Sequence, residues 1–335
     1  MRKAVIVVLS VWFLLMLVSC ESSEATEKEF FINSGAINNN ILLSGDGCVI
    51  DGCNGDFQMV KEGESSKLFR DPFFQLGEGE EITLQYISGT MLYYLKNYGS
   101  GEFELHSMDL SGYEDSLIYE SSSSASREYD YLGIMDNSNS LGDFLSEREE
   151  EVYSFWVLGN YAWLVQEDGI YRLNLLTGHK KRMIEDAGDG EAFTYTGHKL
   201  YYIDTLYHLT EYDVISGESA ELTSWPVSRQ YTNGKYNFVQ RMNGELFCYS
   251  LETGEMIQLE KKAGTLMYAD EHYVYCANED DMELFVYRIT DGEIATKISL
   301  QGLPVSVASL PAEDKVYIVE VKKEQQIRRE VYIGN

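Results

Sequence analysis

Five histidines (His106, His179, His198, His208 and His272) and five cysteines (Cys20, Cys48, Cys53, Cys248 and Cys276) are the residues of this chain best suited to hold a metal or act as nucleophiles. Their spacing fits none of the arrangements such chemistry uses. There is no His-Glu-x-x-His pair, no Gly-x-Ser-x-Gly elbow and no phosphate-binding glycine loop. His198 and His208 stand ten apart on a predicted strand pair and could approach, but all five read as exposed strand-end or turn histidines. Cys48 and Cys53 bracket a Gly-rich stretch that can turn back on itself, so the two could form a disulfide outside the cytoplasm. Cys248 and Cys276 fall on predicted strands of neighbouring repeats and read as buried thiols. Asp46, Asp51, Asn54 and Asp56 offer hard oxygen ligands of the kind calcium takes, but their spacing is not that of an EF-hand, and turns are rich in Asp and Gly in any case. The acidic runs at Glu279-Asp280-Asp281 and Glu185-Asp186 read as solvated loops. No catalytic, cofactor-binding or metal-ligating residue is assigned, and no cofactor is expected.

The elements that must position these residues follow a repeat. Short runs rich in aromatic and β-branched residues alternate with turns ending in glycine. Gly178, Gly217, Gly254 and Gly292 are 39, 37 and 38 residues apart, and Gly112 ends a similar turn. Leu246 to Leu251 and Leu284 to Ile289 are the clearest copies of one strand; Leu200 to Ile203, His272 to Tyr275 and Lys315 to Val319 are copies of another. Glycine suits such turns because it takes positive φ without steric cost. Four short strands per repeat of about 40 residues predict an all-β fold, a β-propeller of four-stranded blades. Length divided by repeat gives seven blades, with six or eight open. The last repeat shows three strands, so the segment from Glu29 to Asn33 is expected to supply the fourth and close the ring, removing exposed edges. Residues 121–151, with runs of Ser, Asn and Glu, read as a surface insert.

Composition narrows the function. The chain has 335 residues, 26 Lys and Arg against 55 Asp and Glu, and a net charge of −29. That balance opposes nucleic-acid binding, which needs cations to displace phosphate counterions, and charge-driven docking on anionic lipid. Its 25 Tyr and 14 Phe suit packed strands rather than disorder.

Met1-Arg2-Lys3 is a basic start, and Ala4 to Val18 is apolar apart from Ser10. As a helix this run would be about 22 Å long, short for a membrane span and suited to a signal-peptide core. Leu17-Val18-Ser19-Cys20 follows and resembles a bacterial lipobox. That resemblance implies a signal peptide over residues 1–19, a lipid on Cys20, and an acidic, flexible tether over residues 20–29 ahead of a propeller domain at 30–335. Two or more acyl chains would make such anchoring durable.

Leu200-Tyr201-Tyr202-Ile203-Asp204-Thr205 resembles the Tyr-Trp-Thr-Asp repeat of receptor-type propellers, and the strand-then-Thr-Gly turns resemble quinoprotein-like propellers. The tryptophan that docks successive quinoprotein blades is not repeated: past the leader only Trp156, Trp163 and Trp225 occur. The domain as a whole looks like bacterial extracytoplasmic propeller lipoproteins. The expectation is therefore a non-enzymatic scaffold facing outward from the membrane, at the cell surface or in the periplasm, binding a protein partner. A glycan- or small-ligand-binding propeller, and a propeller hydrolase, lyase or quinone-dependent enzyme, are the alternatives.

Overall fold

The computed structural model describes residues 30–32, 42–45, 47–52, 57–61, 64–67, 81–98, 102–121, 152–166, 168–185, 187, 194–196, 198–310, 313–323 and 325–333. The signal-peptide, lipidation and insert expectations lie outside these residues. No helix among the described residues is long and apolar enough to cross a membrane.

After β1 (Phe30–Ile32), the strands fall into successive antiparallel sheets. The first holds β2 (Leu42–Gly45), β3 (Cys48–Asp51), β4 (Gln58–Lys61) and β5 (Glu64–Lys67). The second holds β6 (Glu81–Ser88), β7 (Met91–Asn97), β8 (Phe103–Asp109) and β9 (Glu114–Glu120). The third holds β10 (Val152–Leu158), β11 (Tyr161–Gln166), β12 (Gly169–Asn174) and β13 (Lys180–Ile184). The fourth holds β14 (Thr194–Thr196), β15 (Lys199–Ile203), β16 (Leu209–Asp213) and β17 (Ser219–Glu221). The fifth holds β18 (Val227–Thr232), β19 (Tyr236–Arg241), β20 (Leu246–Ser250) and β21 (Met256–Glu260). The sixth holds β22 (Thr265–Ala269), β23 (Tyr273–Asn278), β24 (Glu283–Arg288) and β25 (Ile294–Ser299). The last holds β26 (Leu303–Leu310), β27 (Lys315–Lys322) and β28 (Gln325–Tyr332).

These sheets form an all-β propeller ring. First strands of neighbouring sheets approach one another, as β2 does with β6 and β26, and β22 with β18 and β26, so they surround the axis. Fourth strands such as β17 and β21 lie outermost and are largely exposed. Burial follows that gradient: β27 reads Lys-Val-Tyr-Ile-Val-Glu-Val-Lys and buries its central residues on both faces, because sheets pack against it from either side. Each junction between sheets is a hydrophobic layer. Ile50 and Leu84 join the first and second sheets, Leu105 and Phe155 the second and third, and Tyr201 and Val239 the fourth and fifth. Leu42 and Tyr317 join the first and last, closing the ring.

Buried amides fasten several junctions. Gln85 Oε1 accepts from Ser154 Oγ at 2.7 Å and from the Phe155 amide at 3.2 Å. Gln240 Oε1 accepts from the Leu266 amide at 2.9 Å while its Nε2 donates to the Gly264 carbonyl. Such bonds contribute about 1 kcal/mol each and penalise any slip between sheets. A bulge interrupts the first strand of most sheets, at Leu84/Tyr86, Val152/Ser154, Val227/Arg229, Leu266/Tyr268 and Pro304/Ser306. Bulges sharpen the local twist that each blade needs.

The recurring glycines sit where the repeat predicts, between the third and fourth strands. Gly178, Gly217, Gly254 and Gly292 have φ of 70°, 75°, 72° and 73°, and each amide donates to the carbonyl four residues back. Gly112 does not. In that turn Tyr113 takes the left-handed position, with φ 57°, and its amide donates to Asp109. The sequence spacing is off by one there because the turn starts at Asp109.

Two architectural expectations are corrected. Six sheets carry the four-stranded blade, not seven; the last sheet has three strands. The N-terminal strand does not complete that sheet. It pairs antiparallel with β14, Phe30 opposite Thr196 and Ile32 opposite Thr194, making the fourth sheet five-stranded. β14 is a three-residue first strand whose inner edge is otherwise open, so β1 satisfies backbone groups there.

Candidate interaction surface

In each sheet the connections from second to third strand, and from one sheet to the next, emerge at one end of the ring. The other two turns emerge at the opposite end. On the first of these faces, three loops of the fourth and fifth sheets are tied together. The Val227 amide donates to the Tyr207 carbonyl at 2.7 Å, and the Met242 amide donates to the Pro226 carbonyl at 3.2 Å.

The first loop is built on Asp204, 8% exposed, at the end of β15. Its Oδ1 accepts from the amides of Leu206 and His208, both at 2.8 Å, and its Oδ2 from Thr210 Oγ1 at 3.3 Å. With the carboxylate satisfied inside the turn, the side chains beyond it point outward. Leu206 is 69% exposed and Tyr207 54%, and Tyr207 holds a left-handed backbone with φ 64°. A bulky residue in that conformation is strained, and such strain concentrates at functional positions. Met242, 54% exposed, stands on the neighbouring loop. Half-buried Trp225 stands on the third loop, its ring 4.9 Å from Phe247 and capped by the Arg241 guanidinium at 5.4 Å. Arg241 in turn pairs with Glu245 at 2.9 Å. Leu206, Tyr207 and Met242 thus expose apolar side chains on loops that backbone hydrogen bonds tie together, beside half-buried Trp225 and the Arg241–Glu245 pair.

A second cluster joins titratable groups in the second sheet. His106 lies 2.9 Å from Glu104 through Nε2 and 3.1 Å from Asp115 through Nδ1, and its ring stacks on Tyr94. Tyr94 donates to Asp115 at 2.8 Å. Burial alone would lower the His106 pKa, but the hydrogen bonds to Asp115 and Glu104 outweigh it and leave it raised. Burial opposes ionisation of Glu104 and Asp115, yet their bonds to His106 hold both below the usual range. With both ring nitrogens engaged, His106 braces three adjacent strands.

The residues singled out from sequence are scattered. Cys20 and Cys53 lie outside the described residues, so the Cys48–Cys53 pairing is not placed; Cys48 is buried between the first and second sheets. Cys248 and Cys276 are buried in one core layer. Burial pushes the Cys248 thiol up to about 12 and that of Cys276 higher still. His198 and His208 do not approach one another, in line with their reading as strand-end or turn histidines. They flank opposite ends of the β15–β16 hairpin, where His198 faces Asp213 and His208 faces Glu221, each at 3.3 Å. Asp51, offered for calcium, instead pairs with Arg328 at 2.6 Å; Asp46, Asn54 and Asp56 lie outside the described residues. Asp281 is engaged with Asn278 in its own turn. Among the described residues no group of three or more His, Cys, Asp or Glu could hold a metal ion.

Sequence reasoning missed the patch. Its one local signal was an apolar pair, Leu206-Tyr207, in a turn where polar residues are usual.

No protein-family model matches this chain, and no curated protein matches it. Solved structures do. An oligogalacturonate lyase in complex with manganese superposes with a TM-score of 0.54 at 11% identity, covering 89% of each chain. The computationally designed Ika8 protein gives 0.52 at 12% identity, covering 90% of this chain and 96% of its own. PorZ, an essential surface component of the type-IX secretion system of Porphyromonas gingivalis, gives 0.49 at 13% identity, covering 87% of this chain. The chain spans 38% of PorZ. At these identities the likeness to the first two establishes the fold, a β-propeller, and nothing of their activities passes to this chain.

Proposed function

We propose that this chain is a membrane-anchored extracytoplasmic scaffold that captures a protein partner through the patch of Leu206, Tyr207, Trp225 and Met242. The patch carries the reading: exposed Leu206, Tyr207 and Met242 on two loops, one of them held in a strained backbone, with half-buried Trp225 on a third and the Arg241–Glu245 pair alongside. The lipobox-like Leu17-Val18-Ser19-Cys20 supports the anchor. The second reading, a ligand in the axial channel, is weakened because β1 occupies the axial edge of β14.

Photo-crosslinking in intact source cells tests the proposal. A crosslinker replacing Leu206 or Met242 should trap one reproducible protein, and the same group replacing Ile294, exposed on an outer strand, should not. Equal yields from all three positions would overturn it.

A further inference from the structure

The pairing of β1 with β14 fixes where the N-terminal segment leaves the ring. Phe30 lies opposite Thr196, at the end of β14 that turns into β15. Ile32 lies opposite Thr194, at the other end. The chain ahead of Phe30 therefore emerges on the face formed by the first-to-second and third-to-fourth strand turns. The patch of Leu206, Tyr207 and Met242 is on the opposite face.

Only nine residues lie between Cys20 and Phe30, a reach of at most about 35 Å fully extended. A lipid on Cys20 would hold the face from which β1 emerges close to the bilayer.

A second observation picks out the same face. The third-to-fourth turns of the third and fourth sheets carry Leu176, 78% exposed, and Ile215, 80% exposed, the most exposed large apolar residues described. They occupy one position of the repeated turn, two residues after Asn174 and Asp213, whose side chains accept the Leu176 and Ile215 amides. At the same position the second, fifth and sixth sheets carry Ser111, Glu252 and Thr290. Among the described third-to-fourth turns the aliphatic tips are thus confined to the sheet that β1 joins and the one beside it. Within the fourth sheet, the Val214 amide donates to the His198 carbonyl at 2.9 Å, placing Ile215 next to the turn where Phe30 enters. The net charge of −29 argues against electrostatic attraction, so contact would be through apolar insertion into the interfacial region.

We infer that the propeller stands on its own membrane with Leu176 and Ile215 against the lipid surface and the Leu206–Tyr207–Met242 patch directed away from it. This rests on the reading of Cys20 as lipidated.

The test uses full-length lipidated protein from source membranes, reconstituted into phosphatidylcholine–phosphatidylglycerol vesicles with brominated acyl chains. Leu176→Cys, Ile215→Cys, Leu206→Cys and Met242→Cys are each labelled with bimane, with the unsubstituted protein labelled alongside as the background. All four side chains are exposed, so the fold should tolerate them. At least twofold quenching at positions 176 and 215, and none at 206 and 242, is expected. Quenching at 206 or 242, or none at 176 and 215, would overturn the orientation. Growth with tritiated palmitate separates the two readings, comparing the unsubstituted protein with Cys20→Ala. If label enters the first and not the second, the anchor stands and the quenching pattern alone judges the orientation. If label enters neither, or both equally, the anchor and this inference fall together.

Discussion

Arg328 and Asp51 are 277 residues apart in the chain, yet Arg328 Nη1 donates to Asp51 Oδ2 at 2.6 Å across the junction of the last and first sheets. Asp51 is 6% exposed, so the bond lies at a buried point of the junction. The pair works beside the layer of Leu42, Val49, Tyr317 and Val319 that closes the ring without a shared sheet.

Removing the arginine should open that junction first. Arg328→Ala should lower the unfolding free energy by about 2 kcal/mol, because it removes a charge-assisted hydrogen bond across the junction. Asp51→Ala in the Arg328→Ala background should cost much less than it does alone. Urea unfolding of the four proteins reads the coupling; additive losses would show that the pair does not hold the junction.

Tyr207 should be more valuable for binding than for stability. Tyr207→Gly relieves the left-handed backbone at φ 64°, so stability should hold or rise by up to about 1 kcal/mol. Partner capture should fall at least tenfold. Thermal unfolding and a pull-down from source membranes check both halves; a variant that loses stability would mean the loop is held by the ring and not strained.

The His106 network predicts a bounded pH window. His106 has a raised folded pKa, so its contribution is complete below its unfolded value of about 6.5 and is lost as pH rises through the folded value. Glu104 and Asp115 have lowered folded values, so their contribution is complete above their unfolded values of about 4 and is lost as pH falls through the folded ones. The stability advantage of wild type over His106→Gln should therefore be greatest between about pH 5 and 6 and shrink toward alkaline pH. Urea midpoints across pH 4 to 9 give the curve; a difference that stays flat across this range would remove the network from the account.

Cys248 and Cys276 should be silent in the native state. Burial raises both thiols, one to about 12, so little thiolate exists at neutral pH and reagents cannot reach it. Labelling of a Cys48→Ala, Cys53→Ser protein with a colourless disulfide reagent should be slow in buffer and should release two equivalents in guanidinium. Fast native labelling would mean that the layer between the fifth and sixth sheets opens readily.

How much of this was legible varies residue by residue. The turns at Gly178, Gly217, Gly254 and Gly292 could be read because one residue type at one spacing meets a local need for positive φ. Tyr113 broke the pattern, since its turn accepts the strained position without a glycine and nothing nearby announces it. His198 and His208 looked like neighbours by count, but a hairpin register puts them at opposite ends. Leu206, Tyr207, Trp225 and Met242 come from three loops, and no single stretch shows that those loops are tied together.

The sequence alone determined the strands, their recurring turns and hence the propeller, because these depend on side-chain alternation and turn chemistry within about ten residues. The tertiary structure decided that β1 joins β14, that the last sheet stays three-stranded, that Asp51 meets Arg328, and which face carries the patch. Those outcomes are set by which edges and charges remain unsatisfied once the ring closes, and closure brings together residues that local order leaves hundreds of positions apart.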